Sequence, residues 1–566
     1  MMVVVLSLFY ATCMVVGTSF WLSEGFELIE KHWVLSLAIW GGLVCLNMRV
    51  LKKLFDWLSR GAKRKGRKKA ERKGKTLAGS AWADLRRTKA FEKFREKPFW
   101  VSLIVMAVCW LPYVVAFYPA ILSPDPSNQI RQFFGIWNDY YEYVVMIPDG
   151  ASITNHHPVL HTILLGGAAK LGVMMGNVNV GLFLYSCCQV AILAATLAWT
   201  IEFLRREGAG DKYTFLMLAV YSFVPMFPLY GMSVVKDTIF GCLVILYTVE
   251  LYKMVKETKI EKRAGWRMVG VMILMMLFRH NGIHVILLSL PWLLIGKRGR
   301  RYRLSVAAIL VGVVGFWGVY NKVVLPYFKV TPGSVREKLS IPFQQTARYV
   351  KKHEEEMTTE EKEAIDKVLG IETLAERYKG NISDPVKNGF NKYATEEDLK
   401  RYWEVWGEEL LKDPKTYIEA TVENTYGYIY PLKTNWYVYG EFDERLNDSG
   451  IDYHYNDWSR KMREGLLSFG QTFLYLPVVG LLSNIGANVW LVGLMVGYLG
   501  YKKKYREMIF LTPALALVLV CVASPVNCYF RYALPFVFAS MLNFGLFWKE
   551  VMREGWRESR KEKEKK

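Results

Sequence analysis

Apolar runs of about 20 residues recur from one end of the chain to the other, separated by links dominated alternately by acidic or polar and by basic residues. A helix rises 1.5 Å per residue, so ~20 residues cross the ~30 Å hydrocarbon core, and the pattern predicts an all-α polytopic membrane protein. Twelve transmembrane helices are expected, over residues 2–22, 33–50, 99–117, 178–203, 213–230, 238–254, 264–278, 283–295, 304–326, 485–501, 508–523 and 533–548. Two further apolar runs, 159–175 and 467–481, are read as helices lying in the outer interface. The first opens on Pro158 and is broken by Gly166-Gly167 and Lys170; counted as a span, it would leave Arg205 and Arg206 outside. Residues 264–278 and 283–295 are short, ~22 Å of helix for the longer, so the turn Arg279-His280-Asn281-Gly282 between them should sit below the outer surface in a cavity.

Charge gives the orientation. Residues 52–97 hold 18 Lys/Arg against 5 Asp/Glu, whereas residues 328–465 hold 21 against 27. By the positive-inside rule the first stretch is cytoplasmic and the second extracytoplasmic, with both termini inside a cell membrane. The organisation is then two N-terminal spans (1–50), a basic cytoplasmic loop (51–97), a transmembrane core (98–327) carrying the first outer loop (118–162), an extracytoplasmic, mainly α-helical insert (328–465), C-terminal spans (466–548) and a charged cytoplasmic tail (549–566).

The net charge of +21 raises nucleic acid as a partner, but the basic excess lies beside the membrane, where polybasic loops are drawn to anionic lipids. No nucleic-acid role is assigned. All eight cysteines lie in or at the end of apolar runs, so the insert folds without a disulfide framework. Met1-Met2-Val3-Val4-Val5 lacks a basic leader, and the first run is read as a retained span. In the insert, Thr359-Glu360-Glu361-Lys362 and Thr395-Glu396-Glu397-Asp398 read as helix starts, the first helix running to Leu369. Its aromatic end (Tyr426, Tyr428, Tyr430, Trp436, Tyr437, Tyr439) reads either as a small core or as a face for stacking on sugars.

With this orientation Asp125, His156, His157, Lys236, Asp237, Arg279, His280, Asn281, Arg531 and Tyr532 all fall on the outer side. A carboxylate can take the proton of an acceptor hydroxyl, while Lys and Arg offset charge building on a departing phosphate. The set therefore suits transfer from a phosphate-bearing lipid. Taken singly, Lys236-Asp237 reads equally as an interfacial ion pair and Arg531 as a snorkelling anchor. His157 and His161 have i,i+4 spacing, but Pro158 interrupts them and no Glu follows His157, so no metal site is assigned.

An outer-loop Asp after the first core span, His-His-Pro opening an interfacial helix, Lys-Asp before a later span, and Arg-Tyr-x-x-Pro (Arg531, Tyr532, Pro535) opening the last resemble GT-C-type glycosyltransferases. More closely, Ser123-Pro124-Asp125, Asn155-His156-His157-Pro158, Arg279-His280-Asn281-Gly282 and Ile341-Pro342-Phe343-Gln344-Gln345 resemble a family of uncharacterised polytopic proteins of Gram-positive bacteria. The GT-C resemblance covers roughly residues 98–300 and the last spans. It implies a GT-C-like fold and inverting transfer of a sugar from a polyprenyl-phosphate carrier to a cell-envelope polymer or glycolipid, with Asp125 as general base. Many GT-C enzymes carry paired acids in the first outer loop, whereas Asp125 stands between Pro124 and Pro126, with Asp139 and Glu142 further on. The resemblance therefore admits a divalent cation but firmly implies no cofactor. The alternatives from other classes are a transporter or flippase of lipid-linked saccharides and a non-catalytic envelope-assembly protein; no inverted repeat is visible in the sequence.

Overall fold

The computed structural model describes residues 1–67, 82, 84, 86–147, 151–296, 299–433, 437, 438, 440 and 442–564, with side chains outside 61–67 and 553–564. The anionic-lipid reading of the basic loop falls largely on residues outside that description, as do Trp436 and Tyr439. Among the described residues the regular structure is helical, joined by isolated β-bridges. Seven helices are long and apolar enough to cross a membrane, or eight if Asp211–Phe223 and Met226–Met232, bent by 49°, form one span. The molecule is thus a helical membrane protein. Other segments expected to cross also form helices, but shorter ones: Lys262–Phe278 and Ile485–Tyr501 have 17 residues each, ~25 Å.

Burial separates central from peripheral helices. In Lys236–Lys256 and Phe530–Met552, 83% of the apolar window is inside the protein, against 6% in Trp33–Arg60 and 11% in Arg300–Tyr327. The peripheral pair turns Trp33, Leu37 and Val311 outward, an apolar surface that lipid tails would cover.

The bundle has two chemically distinct ends. At one, Asp211 meets Arg205 at 3.1 Å, Arg86 at 3.5 Å and Arg95 at 3.7 Å, so the end of the 51–97 loop packs against the Arg206–Asp211 link. Lys256–Glu550 at 3.0 Å and the Lys504 ammonium on the Glu550 carbonyl, also at 3.0 Å, join later links to the same end. The insert covers the other. Both ends of Val159–Met174 lie at the insert end: His157 precedes it, and Asn179, just after it, donates to the His454 carbonyl at 3.1 Å. Residues 459–484 remain there too, through Ser459 on the Ala116 carbonyl (3.2 Å) and Asn484 on that of Pro431 (3.0 Å).

The insert has its own core, built on Phe343, Ile365, Val368, Tyr402 and Tyr417. Both expected helices form with reciprocal capping boxes, Thr395 with Asp398 and Thr358 with Glu361. The first cap is thus one residue earlier than the sequence suggested, because Thr358 is the residue three before Glu361. Tyr426, Tyr428, Tyr430 and Tyr437 are all buried, so these rings serve as core.

Glu409 lies inside this core, with Oε2 3.0 Å from the Tyr417 hydroxyl, which is itself 3.0 Å from the Trp406 carbonyl. A phenol has one proton; a protonated Glu409 donating to Tyr417 satisfies the chain. Burial pushes the Glu409 carboxyl from 4.5 up to about 8. The folded state therefore binds more protons than the unfolded one, and this group's contribution to stability is lost as pH rises from about 4.5 to about 8. Glu409→Gln should raise the thermal midpoint at pH 8 and change it little at pH 5. An equal shift at both pH values, read by tryptophan emission in detergent, would contradict a protonated Glu409.

Candidate functional site

Three backbone devices bring the charged residues together. Ile121 forms a parallel bridge with Ser233, its amide on the Met232 carbonyl at 2.9 Å and its carbonyl accepting from Val234 at 3.2 Å. This ties the chain just before Asp125 to the chain just before Lys236. Gln189 holds the same break by donating to the carbonyls of Tyr230, Gly231 and Ser233 at 3.2, 2.9 and 2.6 Å. The turn at Arg279–Gly282 is so tight that a Cβ on Gly282 would lie 2.6 Å from the Met275 carbonyl oxygen, which reserves the position for glycine.

The first outer loop is more ordered than the sequence suggested. Pro124–Phe133 is a helix with Asp125 and both prolines in its first turn. Pro-Asp-Pro reads as a turn, yet prolines fit a first turn, where amides lack helical partners, and an acid there meets the positive end of the helix dipole.

Asp125 is the centre of the cluster. Its Oδ2 accepts from Arg531 Nη2 at 2.7 Å and lies 3.6 Å from Lys236 Nζ; its Oδ1 accepts from the Tyr140 hydroxyl at 3.2 Å and lies 3.6 Å from His157 Nε2. Lys236 Nζ is 3.0 Å from His157 Nδ1, and His157 Nε2 is 2.7 Å from the Tyr140 hydroxyl. An ammonium only donates, so His157 Nδ1 accepts, and the proton of a neutral ring sits on Nε2. The chain is therefore directional: Lys236 to His157, His157 to Tyr140, Tyr140 to Asp125. Burial, with Lys236 beside it, lowers the His157 imidazole, and burial takes His156 down to about 4. Burial alone would raise the Asp125 carboxyl, but the cations beside it, Arg531 first and then Lys236, hold it well below the usual carboxylate range.

Behind this layer Asp237 is fully buried, bonded to Arg279, and 3.3 Å from Arg531 Nε. The guanidiniums of Arg279 and Arg531 lie over the Tyr532 ring at 5.2 and 5.6 Å. Tyr532 thus orients two cations, and Arg279 is linked to Asp125 through Asp237 and then Arg531. His280 Nε2 is 3.1 Å from Asn155 Oδ1, and His156 stacks on Tyr140 with centroids 4.1 Å apart. The Asn281 backbone opens the Gly282–Ser289 helix, its carbonyl accepting from His284 at 3.1 Å.

The insert places Arg531. Asn527 donates its amide to the Asn381 carbonyl and its side chain to that of Glu423, at 2.8 and 2.7 Å; Ser383 donates to Pro525 at 2.8 Å, and Ile382 bridges Val526. Gln344 braces this strap by donating to Lys379 at 2.8 Å, and Gln345 donates to Thr421 at 2.9 Å. The Ile341–Gln345 motif therefore acts within the insert, by these hydrogen bonds and the buried Phe343, and not at the charged cluster.

A divalent cation fits poorly at Asp125, whose neighbours are an ammonium and a guanidinium, while Asp237 is engaged by two arginines. Asp139 lies elsewhere, between Asn128, Arg131 and Arg445. Tyr140 was not singled out from the sequence; its place in an aromatic Asp-Tyr-Tyr-Glu-Tyr run hid it. Tyr140→Phe keeps the ring against His156 but breaks the chain to Asp125. With the acceptor of the His157 Nε2 proton gone, the thermal midpoint should fall by what a net loss of about 1 kcal/mol produces, and an unchanged midpoint in detergent would show that the chain contributes nothing to stability.

Fold and site together define a helical membrane protein with a buried carboxylate, guanidinium and imidazole cluster at one end of its bundle. The chain belongs to a family of unknown function, DUF6020, whose profile matches residues 1–566. No curated protein and no solved structure matches it.

Proposed function

We propose that this protein is a GT-C-like, inverting membrane glycosyltransferase that moves a sugar from a polyprenyl-phosphate donor to a cell-envelope polymer or glycolipid on the outer face. The charge count of the buried cluster carries this reading. Lys236, Arg279 and Arg531 face Asp125 and Asp237, and with His156 and His157 neutral one positive charge is left over. A buried unpaired charge is costly, and a phosphodiester, carrying one negative charge, balances it. Asp125, 24% exposed, is the most open of the five side chains, as a group meeting an incoming hydroxyl must be.

In this mechanism the donor phosphate takes Arg531 and Lys236 from Asp125, whose basicity rises as those cations are shared. Asp125 accepts the acceptor hydroxyl's proton, and the oxygen bonds to the anomeric carbon from the face opposite the phosphate. The carbon–oxygen bond to phosphate breaks, and its electron pair leaves on the lipid phosphate, against Arg531 and Lys236. Purified protein supplied with radiolabelled polyprenyl-phosphate sugars should give a glycosylated product. Movement of intact lipid across vesicles without product would favour the flippase reading.

The proposed topology has twelve spans, with both termini and residues 205–212 in the cytoplasm of a cell-membrane protein and residues 328–465 outside. The clustering of basic links at the end remote from the insert supports it. In a cysteine-free background, Arg206→Cys should resist membrane-impermeant labelling of intact cells, and a cysteine at exposed Lys400 should react. Labelling of Arg206→Cys from outside would invert the assignment.

A further inference from the structure

Where the end of the Met2–Ser23 helix meets the insert, the described residues line a half-open cavity of about 330 Å³, separate from the Asp125 cluster. Lys351, Lys379 and Lys433 line it. None has a carboxylate within ion-pair distance among the described residues; Lys351 lies 5.5 Å above the Tyr378 ring and Lys433 lies 5.6 Å above that of Tyr426. Of the two lining acids, Glu423 is bonded to the Tyr378 hydroxyl at 2.8 Å and shares Arg348 with Glu419, so the three lysines and Arg348 face Glu24, Glu419 and Glu423, and one cation is in surplus.

The position says what kind of anion would reach it. Trp21 lines the cavity at the last turn of a membrane-length helix and is 50% exposed, beside Leu22 at 65%. Tryptophan at the end of a span marks headgroup level, and an ammonium on a flexible stem suits a phosphate as a point charge. We propose that this cavity binds the phosphate headgroup of an anionic membrane lipid, the lysines on the phosphate and an acyl chain along Trp21 and Leu22. Gly380 and Asn381 form part of its wall, and the Asn381 carbonyl holds Asn527, four residues before Arg531. A lipid seated here would steady the strap that positions Arg531.

The test is native mass spectrometry of the full-length protein titrated with phosphatidylglycerol, phosphatidylcholine or inorganic phosphate. One phosphatidylglycerol should be retained in preference to phosphatidylcholine, and Lys351→Gln/Lys379→Gln/Lys433→Gln should bind it roughly ten- to a hundredfold more weakly. Lys236→Gln should retain it, which separates this cavity from the donor site and makes the outcome independent of sugar transfer. Single variants at exposed Lys351 and Lys379, checked for an unchanged thermal midpoint, should show graded losses even if the triple variant folds poorly. Undiminished retention in the folded lysine variants, equal retention of phosphatidylcholine, or displacement of the lipid by millimolar phosphate would overturn the proposal, the last in favour of a site for a soluble anion.

Discussion

Asp125→Asn should cut sugar transfer by roughly 10² or more while the affinity for the lipid phosphate holds or rises. The amide keeps the shape of the carboxylate and can still accept from Tyr140 or Arg531, so the first turn of Pro124–Phe133 has no steric reason to move. What disappears is the proton acceptor and one negative charge. The cluster's surplus grows from one positive charge to two, which favours an incoming phosphate. Loss of turnover together with equal or tighter donor binding is therefore the signature of a base, and simple disruption of the pocket would weaken both. Near-normal turnover in Asp125→Asn, with Asp237→Asn inactive, would move the base to Asp237 despite its complete burial.

Arg531→Lys should weaken donor binding by roughly 10² and slow turnover, although formal charge is conserved. Arg531 bonds Asp125 through Nη2, approaches Asp237 through Nε, and lies over Tyr529 and Tyr532 at 5.2 and 5.6 Å. A lysine ammonium is a single point and cannot reach both carboxylates while lying flat on two rings. Lys236→Arg is the informative partner variant: His157 Nδ1 at 3.0 Å needs one donor, so a guanidinium there should retain more function than lysine does at position 531. Donor dissociation constants from a fluorescent lipid analogue, measured beside the wild type, would decide it. Equal affinity in Arg531→Lys would reduce the arginine to a structural charge.

The helices were readable because membrane-length apolar runs leave little choice of structure. The apolar segments at 2–22, 178–203 and 238–254 all emerge as helices within a few residues of the expected bounds. Asp125, Lys236 and Arg531 were legible as a group because each interrupts or borders apolar sequence. Their pairing was not. It depends on the Ile121–Ser233 bridge and on Asn527 docking to Asn381, contacts between segments more than 100 residues apart that leave no periodic trace. The same holds for Tyr140, which becomes distinctive only once His157 and Asp125 stand on either side of its hydroxyl. Pro124–Phe133 escaped notice for a different reason: beside Pro126 and Ile130 it buries Ser127, Asn128, Gln129 and Gln132, a mostly polar set that gives only a weak hydrophobic pattern.

The strap through Asn381, Ile382 and Ser383 also carries a consequence for biogenesis. Ribosomal synthesis delivers residues 381–428 well before residues 524–531, so the surface that receives the last loop can be complete while the final helix is still being made. Arg531, a guanidinium that must end up inside the protein, then enters a prepared socket with its counter-charges at Asp125 and Asp237 already in place. Truncation before Ser524 would leave Asp125 with Lys236 and Tyr140, and Asp237 with Arg279, a cluster whose charges cancel and which has lost the one surplus cation that a phosphate would meet.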